Sequence, residues 1–342
     1  MTQLHMPFMI GPIKVRNRVL AAPLSGVSDL PFRQRTWAGG AGLVVSEMIA
    51  SHEFCHSSNQ STQRALSADC GPVMLQLAGR EAHWMGEAAK IAEAGGAEII
   101  DINMGCPAKK VTGGASGSAL MRDLDHAMTL IEATVAAVDV PVTLKMRLGW
   151  DDSSINAPEL ARRAQDAGVQ MITVHGRTRC QFYKGNADWS AVSAVRDVIT
   201  VPLVVNGDIT SIKKANEAIS LSGADAVMVG RVAYGAPWSV GDLAKSSAGE
   251  QISQDCDDFD IAGYVLAHYQ AMISHYGERI GVRHARKHLN WYIEQNLGSQ
   301  AIATPERQTL MASTDVQEVS ELIGQLFGEN KLSTAANVSE AA

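Results

Sequence analysis

Short apolar runs alternate with stretches of helical pattern along roughly the first 230 residues of the chain. Each run is rich in Val, Ile, Leu, Met or Ala, ends in a polar or Gly-rich segment and is followed by a helix-type sequence. Eight such runs begin at residues 19, 43, 73, 98, 142, 171, 203 and 226. Near-continuous apolar strands alternating with helices are typical of a parallel sheet covered by helices. Eight units of this length predict a closed (β/α)8 TIM barrel, a fold of about 250 residues.

The intervening helices have recognisable ends. The pattern predicts helices from about 80 to 94, 123 to 138 and 211 to 222, the first and last ending at glycines. The polar segment 48–71 is interpreted as a large surface loop with some helix. An open doubly wound sheet is the alternative to a barrel, but no G-x-G-x-x-G motif follows the first strand.

A change of composition near residues 245–260, rich in Ser, Gly, Gln and Asp, indicates a domain boundary. Beyond it the apolar residues follow a helical period and no strand pattern is found. We therefore predict a barrel over residues 1–248, a smaller C-terminal helical domain over 257–328 and a disordered tail over 329–342.

Composition narrows the protein class. Hydrophobic residues make up 46% and charged residues 19%, as expected of a soluble globular protein. Five dispersed Cys with no C-x-x-C pair argue against a disulfide framework and structural zinc. No signal-peptide or membrane-spanning pattern is present, so a cytoplasmic protein without a membrane or metal partner is expected. The net charge of −7 argues against non-specific coating of nucleic acid but leaves room for a local basic groove.

Polar side chains stand where most of the predicted strands end. In a barrel these ends meet at one mouth, where ligands bind. Six of the eight ends supply amide, cationic or imidazole groups. Polar packing inside the barrel is the alternative interpretation. The residues at the ends are Pro23-Leu24-Ser25, Glu47, Gln76, Asn103, Lys145, His175, Asn206-Gly207-Asp208 and Gly230-Arg231.

The last two strand ends indicate a phosphate site. Loops seven and eight of such barrels commonly bind phosphate, and here they carry Asn206-Gly207-Asp208 and Gly230-Arg231. Lys145 lies where a strand should still be buried, which is costly unless the ammonium meets an anion or carbonyl groups. A lysine extending to a loop edge is the alternative. Flavin mononucleotide, FMN, fits this combination of amides, cation and phosphate site.

The segment Asp101-Ile102-Asn103-Met104-Gly105-Cys106-Pro107 carries the most specific chemistry. An apolar run turns polar at Asp101, and a thiol and a chain-breaking Pro soon follow. Cys106, on a loop after a buried strand, is a candidate acid or nucleophile. Two further cations, Arg177 and Arg179, follow His175 and are either functional or ordinary surface charge.

At these motifs the chain resembles the bacterial tRNA-dihydrouridine synthases, most closely the B-type branch. The resemblance covers nearly the whole chain, and the segment 101–110 is its most specific part. The matching segments are 22–33, Val45-Ser46-Glu47-Met48, 101–111, Lys145-Met146-Arg147-Leu148-Gly149-Trp150, 173–179, 206–209, 223–231 and Arg286-Lys287-His288.

The resemblance implies a tRNA-processing flavoprotein oxidoreductase that uses FMN and NADPH to reduce uridine to 5,6-dihydrouridine. Hydride would reach carbon 6 of the uracil while Cys106 protonates carbon 5, a role that suits a thiol with an ordinary pKa of about 8.5. The implied cofactor-binding residues are Pro23, Leu24, Ser25, Gln76, Lys145, His175, Asn206, Gly207, Asp208, Gly230 and Arg231. The implied substrate-binding residues are Asn103, Arg177, Arg286 and Lys287.

Two positions depart from the family pattern, since Leu24 replaces the usual Met and Ser25 the usual Ala. A basic track for tRNA is expected from Lys109, Lys110, Arg177, Arg179, Arg283, Arg286, Lys287 and His288, although Arg286-Lys287-His288 alternatively forms a solvated helix face. Two other functions remain open. One is an FMN barrel oxidoreductase acting on a free pyrimidine, and the other is a non-catalytic tRNA-binding regulator.

Overall fold

The computed structural model describes residues 3–56, 70–256, 259–298 and 304–328. The chain divides into two compact units. The first comprises Met1–Val232 with Trp238–Ile252, and the second comprises Ala233–Pro237 with the residues from Ser253 onward. The short segment 233–237 therefore belongs to the second unit, although the sequence pattern placed it with the barrel.

Nine parallel strands form the sheet of the first unit. Their spatial order is β4-β3-β11-β10-β9-β8-β7-β6-β5. The strands are β3 (Val19–Ala21), β4 (Leu43–Val44), β5 (Ile49–Ala50), β6 (Met74–Ala78), β7 (Ile99–Met104), β8 (Val142–Arg147), β9 (Met171–His175), β10 (Leu203–Asn206) and β11 (Ala226–Val229).

Two of these nine strands are pieces of one barrel strand. β4 pairs with β3, and the next residue, Val45, bridges in parallel to Met74 at the start of β6. β5 then pairs with the carboxyl half of β6. The ring thus closes with eight strand positions, which confirms the predicted TIM barrel and all eight apolar runs.

An N-terminal hairpin closes the lower end of the barrel and was not predicted. Strands β1 (Phe8–Ile10) and β2 (Ile13–Val15) pair antiparallel across the turn Gly11-Pro12, where Gly11 has a φ of +53°. The hairpin side chains pack in one apolar cluster with residues from the amino ends of the barrel strands. The amino end is therefore filled, and the carboxyl end remains for a ligand.

Helices of the first unit begin and end near the predicted positions. Asp123 and Ser211 cap their helices by accepting hydrogen bonds from backbone N–H groups, and Gly223 ends one at a φ of +65°. The loop prediction for 48–71 contains β5 and one helix, and its residues 57–69 lie outside the described part. The helices are α1 (Leu30–Ala38), α2 (Ser51–His56), α3 (Ala82–Ala94), α4 (Lys109–Thr112), α5 (Leu124–Val135), α6 (Ala157–Asp166), α7 (Ser193–Arg196), α8 (Ile212–Ser222) and α9 (Ser239–Ala248).

Four helices form the described part of the second unit, as the periodicity beyond residue 260 predicted. Their core contains Val265, Leu289 and Ile323, all buried. The predicted disordered tail, 329–342, lies outside the described residues. The helices are α10 (Ile261–Tyr276), α11 (Glu278–Asn296), α12 (Pro305–Ala312) and α13 (Val316–Gly328). Across both units, none of the described helices has the length and apolar character needed to cross a bilayer.

Candidate active site

Cys106 lies on a turn that Asn103 holds in place. The strand β7 continues through Asp101, where the apolar run turns polar, and ends at Met104, one residue beyond the predicted end position Asn103. The side-chain oxygen of Asn103 accepts hydrogen bonds from the backbone N–H groups of Gly105 at 3.1 Å and Cys106 at 2.9 Å. The thiol is free and half-buried. Asn103, predicted to face a substrate base, therefore fixes the position of Cys106 in this structure.

A buried polar network supports Asn103 from inside the barrel. Asn103 Nδ2 donates to Gln76 Oε1 at 2.7 Å, and Gln76 Nε2 donates to Asp101 at 2.6 Å. Thr143 Oγ1 donates to the other oxygen of Asp101 at 2.6 Å. Burial raises the pKa of Asp101, while the hydrogen bonds and Lys145 oppose that rise. Gln76 is fully buried in this network, so direct contact with a cofactor would require its amide to leave these partners.

Lys145 lies at the barrel mouth, on the partly exposed position of β8. Its ammonium donates to Asn206 Oδ1 at 3.2 Å, and Asn206 Nδ2 donates to the Met228 carbonyl at 2.8 Å. Burial, and then the charge of Arg147, lowers the pKa of Lys145 from 10.5 to about 8. The ammonium thus remains mostly charged at pH 7, although it is poorly compensated.

Arg147 is a site residue that strand-end reasoning missed, because it lies two residues beyond Lys145. Its guanidinium is buried and donates to the carbonyls of Gly105, Thr178 and Phe182 at 2.8 to 2.9 Å. Burial is the main reason that its pKa falls to about 10. The charge of Cys106 affects the pKa values of both Arg147 and Lys145, so the thiol lies within electrostatic reach of two cations.

Arg177, which is buried, forms an ion pair with the half-buried Asp208 under the loop after β9. The Arg177 guanidinium donates to both oxygens of Asp208, at 3.1 and 2.5 Å, and to the carbonyls of Lys184 and Gly185. With a further contact to His175 Nε2 at 3.3 Å, all five N–H groups of Arg177 are engaged. Arg177 is 1% exposed, so in this structure its contacts support the loop, and its role as a substrate contact stays a prediction.

Asp208 orients Arg231, which is the exposed cation of this group. Arg231 Nη2 donates to Asp208 Oδ1 at 2.9 Å, and the Ala187 N–H donates to Oδ2 at 2.8 Å. Burial alone would raise the pKa of Asp208, but the hydrogen bonds and the charges of Arg177 and Arg231 outweigh it and lower the pKa. Asp208 therefore stays ionised and presents Arg231 to an anion.

The backbone directly after β10 can pass close to the loop after β9 only because residue 207 is glycine. Gly207 has a φ of +119°, and a Cβ atom there would lie 2.7 Å from the Ala187 side chain and 3.0 Å from the His175 ring. His175 is buried, and its pKa is well below 6.5 because of burial and the surrounding cations. The imidazole is therefore neutral at pH 7, which allows its Nε2 atom to accept the hydrogen bond from Arg177 and leaves an N–H at Nδ1.

The loop after β3 borders the mouth beside the end of β11, with which β3 pairs. Pro23 and Leu24 are half-buried, and Ser25 is exposed. The Leu24 N–H donates to Ser28 Oγ at 2.9 Å, which fixes the turn. A Cβ atom on Gly230 would meet the Leu24 side chain at 3.5 Å, an ordinary contact. Gly230 thus brings the end of β11 close to this loop without strain.

The groups at the mouth fit FMN. A cation at Lys145, the Asn206 amide and the neutral His175 ring can address the carbonyls and nitrogens of a flavin ring. Arg231, with the glycine backbone at 207 and 230, can bind its phosphate. No group of three or more His, Cys, Asp or Glu within the described ranges is arranged to bind a metal ion.

In the second unit, the predicted tRNA contacts take different roles. Arg286 Nη2 donates to the carbonyls of Ala312 and Ser313, at 2.9 and 3.0 Å, and so caps the end of α12. His288 is buried with its pKa well below 6.5, and Lys287 is half-buried. Arg286 is thus a structural residue here, while the exposed cations of α11 are Arg279 and Arg283.

The amino-acid sequence matches one protein family over nearly its whole length. The family model described as dihydrouridine synthase matches residues 19–336. A protein of Rhizobium leguminosarum bv. phaseoli called a probable tRNA-dihydrouridine synthase is 58% identical over 308 residues, which cover 90% of this chain and 94% of the relative. A Pseudomonas putida protein called tRNA-dihydrouridine synthase B is 40% identical over 95% of both chains.

Solved structures of two reductase-type proteins share the fold of this chain. Morphinone reductase superposes with a TM-score of 0.53 at 14% identity, covering 73% of this chain and 91% of that one. An old yellow enzyme homologue from Zymomonas mobilis gives a TM-score of 0.52 at 15% identity, covering 69% and 90%. At such low identity these likenesses concern the fold alone.

Proposed function

The chain belongs to the dihydrouridine synthase family, and from this premise we propose that it reduces specific uridines of tRNA to 5,6-dihydrouridine with FMN and NADPH. One observation carries the proposal. A free thiol, Cys106, is held at the carboxyl end of the barrel by Asn103, within electrostatic reach of Lys145 and Arg147. This arrangement suits a proton donor beside a bound planar cofactor.

In the proposed reaction, Lys145, Asn206, His175 and Arg231 would hold FMN, which would supply the hydride that carbon 6 of the uracil receives. The Cys106 thiol donates its proton to carbon 5, which completes the addition of two hydrogens across the double bond. Solvent at the mouth then restores the proton of Cys106, which is half-buried. The Asn103 hydrogen bonds keep the sulfur in position throughout.

We propose that each of the two units contributes its own cations to tRNA recognition. On the second unit, Arg279, Arg283 and Lys287 follow one another at four-residue spacing along α11. Like charges at this spacing repel and destabilise a helix slightly, so they favour an anionic partner. A uridine inside folded RNA must leave its stack before it can reach Cys106.

The test is reduction of unmodified tRNA by the purified, FMN-loaded protein with NADPH. Cys106→Ala should keep its flavin reducible by NADPH yet lose at least 100-fold in tRNA reduction. Cys55→Ala, at another free cysteine of the barrel, is the matched control and should behave as wild type. Undiminished turnover in Cys106→Ala would remove this residue from the acid role.

The same assay separates the other functions. Reduction of free uracil or oxidation of dihydroorotate, with no reaction on tRNA, would indicate an enzyme of free pyrimidines. Protein that cannot be loaded with FMN would indicate a tRNA-binding regulator. Mapping dihydrouridine in tRNA from a strain that lacks the protein would identify the modified position.

A further inference from the structure

A second cationic feature lies beside the mouth, on the loops after β7, β8 and β9. The guanidinium groups of Arg122 and Arg179 both stack on the indole ring of Trp150, with their Cζ atoms 4.9 and 4.7 Å from its centroid. We call these three residues the Trp150 platform. Arg122 ends the 3-10 segment Gly117–Arg122, and Trp150 and Arg179 follow β8 and β9.

Backbone hydrogen bonds join the loops that carry the platform. The Arg179 N–H donates to the Gly149 carbonyl at 3.0 Å, and the Cys180 N–H donates to the Trp150 carbonyl at 2.9 Å. Arg179 Nη2 also donates to Thr112 Oγ1 at 3.4 Å. Thr112 ends helix α4, which begins three residues after Cys106. The platform is therefore attached to the loop that carries the thiol.

The positive charges of this region lack internal counterions. Within the described ranges, none of Lys109, Lys110, Arg122 and Arg179 forms an ion pair. The Nε atom of Arg179 is buried without a hydrogen-bond partner among those residues.

The carboxylates nearest to these cations in the sequence form no ion pair with them. Asp123 caps α5 by accepting from the His126 N–H at 3.0 Å. Asp151 accepts hydrogen bonds from Ser153 and Ser154, while the neighbouring Asp152 is exposed. In a chain of net charge −7, this concentration of uncompensated cations indicates an anionic ligand.

We propose that the Trp150 platform binds backbone phosphates of the tRNA strand that flanks the reactive uridine, an inference that rests on the proposed function. A guanidinium lying on an aromatic ring is oriented in advance and keeps its N–H edges for bidentate phosphate binding. Cations spread over three adjacent loops suit a strand with successive phosphates. The link to the Cys106 loop places the platform close to the proposed acid.

The experiment measures steady-state kinetics and tRNA binding as a function of salt. Arg122→Gln with Arg179→Gln should lower kcat/KM for tRNA at least tenfold, through KM, and at least five times more than kcat/KM for NADPH. The slope of log binding constant against log salt should become less negative by about 0.7 for each phosphate of a single strand that the variant no longer binds. Arg162→Gln, an exposed cation on α6 paired with Asp166, is the matched control.

A pair of Trp150 variants tests the stacking itself. Trp150→Phe should retain most of the tRNA affinity, whereas Trp150→Ala should lose as much as the double arginine variant. Flavin content and circular dichroism show whether each variant is folded. An equal loss with both substitutions would exclude orientation by the ring.

Any of three results would overturn the inference. The double arginine variant could show the same kcat/KM for tRNA as Arg162→Gln, or the same salt slope of tRNA binding as wild type. Its loss of kcat/KM could also be as large for NADPH in the absence of tRNA. If wild-type protein fails to reduce tRNA, the proposed function is wrong. In that case, direct measurement of tRNA binding and of its salt dependence still shows whether the Trp150 platform binds phosphates.

Discussion

Lys145→Met is expected to make the flavin-free protein more stable while it removes activity. The pKa of Lys145 falls from 10.5 to about 8 on folding, mainly through burial. At 1.36 kcal/mol for each pH unit, this costs the folded state roughly 3 kcal/mol at pH 7. Loss of the hydrogen bond from Nζ to Asn206, at 3.2 Å, offsets about 1 kcal/mol of the gain. The variant should therefore gain about 2 kcal/mol in free energy of unfolding at pH 7.

The sign of the pH dependence gives a second, independent check. Between about pH 8 and 10.5, the unfolded chain binds a proton at Lys145 that the folded protein has released. Wild-type stability at this site therefore rises with pH across that interval, and Lys145→Met lacks the rise. The variant should lose its advantage between pH 7 and pH 10.

The assay is urea unfolding of the flavin-free proteins at pH 7 and pH 10, followed by tryptophan fluorescence. Lys90→Met, which removes an exposed lysine paired with Glu87, should stay within about 0.5 kcal/mol of wild type at both pH values. Saturating FMN should stabilise wild type more than Lys145→Met, because a ligand stabilises the form that binds it better. A Lys145→Met protein less stable than wild type at pH 7, or with the same difference at both pH values, would refute the reasoning.

Three further outcomes are expected. Asn103→Ala should lower the single-turnover rate of tRNA reduction about 100-fold with flavin retained, because both hydrogen bonds from the Asn103 side chain to the turn that carries the thiol are removed. Gly207→Ala should cost about 1–3 kcal/mol in urea unfolding from its φ of +119°, and more from the clash with Ala187, whereas Gly96→Ala shows the φ effect alone at +100° in open space. The folded pKa of His288 lies well below 6.5, mainly through burial, so the free energy of unfolding should fall as the pH drops below about 6.5, and His288→Gln should reduce that fall.

The barrel was predictable because a parallel strand covered on both faces must be apolar along its whole length. That requirement marks eight runs in the sequence, and caps such as Asp123 and Ser211 mark the helix starts. The N-terminal hairpin was not predicted because strands of three residues are too short to show a clear alternation of apolar and polar residues. Only Gly11-Pro12, a turn signal between apolar residues, pointed to it.

The site was predictable in its positions and less so in its contacts. Strand ends identify which residues reach the mouth, but not which of them bind one another. Arg177 resembled a substrate cation in the sequence, yet the structure uses all its donors within the loop. The apolar run turned polar at Asp101, yet this residue lies inside β7 and accepts a hydrogen bond from Thr143, 42 residues along the chain. Such pairings depend on long-range register, which periodicity does not contain.

The net charge of the chain is a poor guide to its binding partner because positive and negative residues are distributed unevenly over the structure. Four cations act together on the ring of His175 and lower its pKa, after burial; they are Lys145, Arg147, Arg177 and Arg231. Of the carboxylates described at the mouth, Asp101 is buried with a raised pKa, Asp208 is engaged with two of the arginines, and Glu47 accepts a hydrogen bond from the Gly26 N–H. The mouth is therefore positive although the chain carries −7. Mutual repulsion among these cations is relieved when an anion binds, so the site that weakens the empty barrel is the site that favours a phosphorylated ligand.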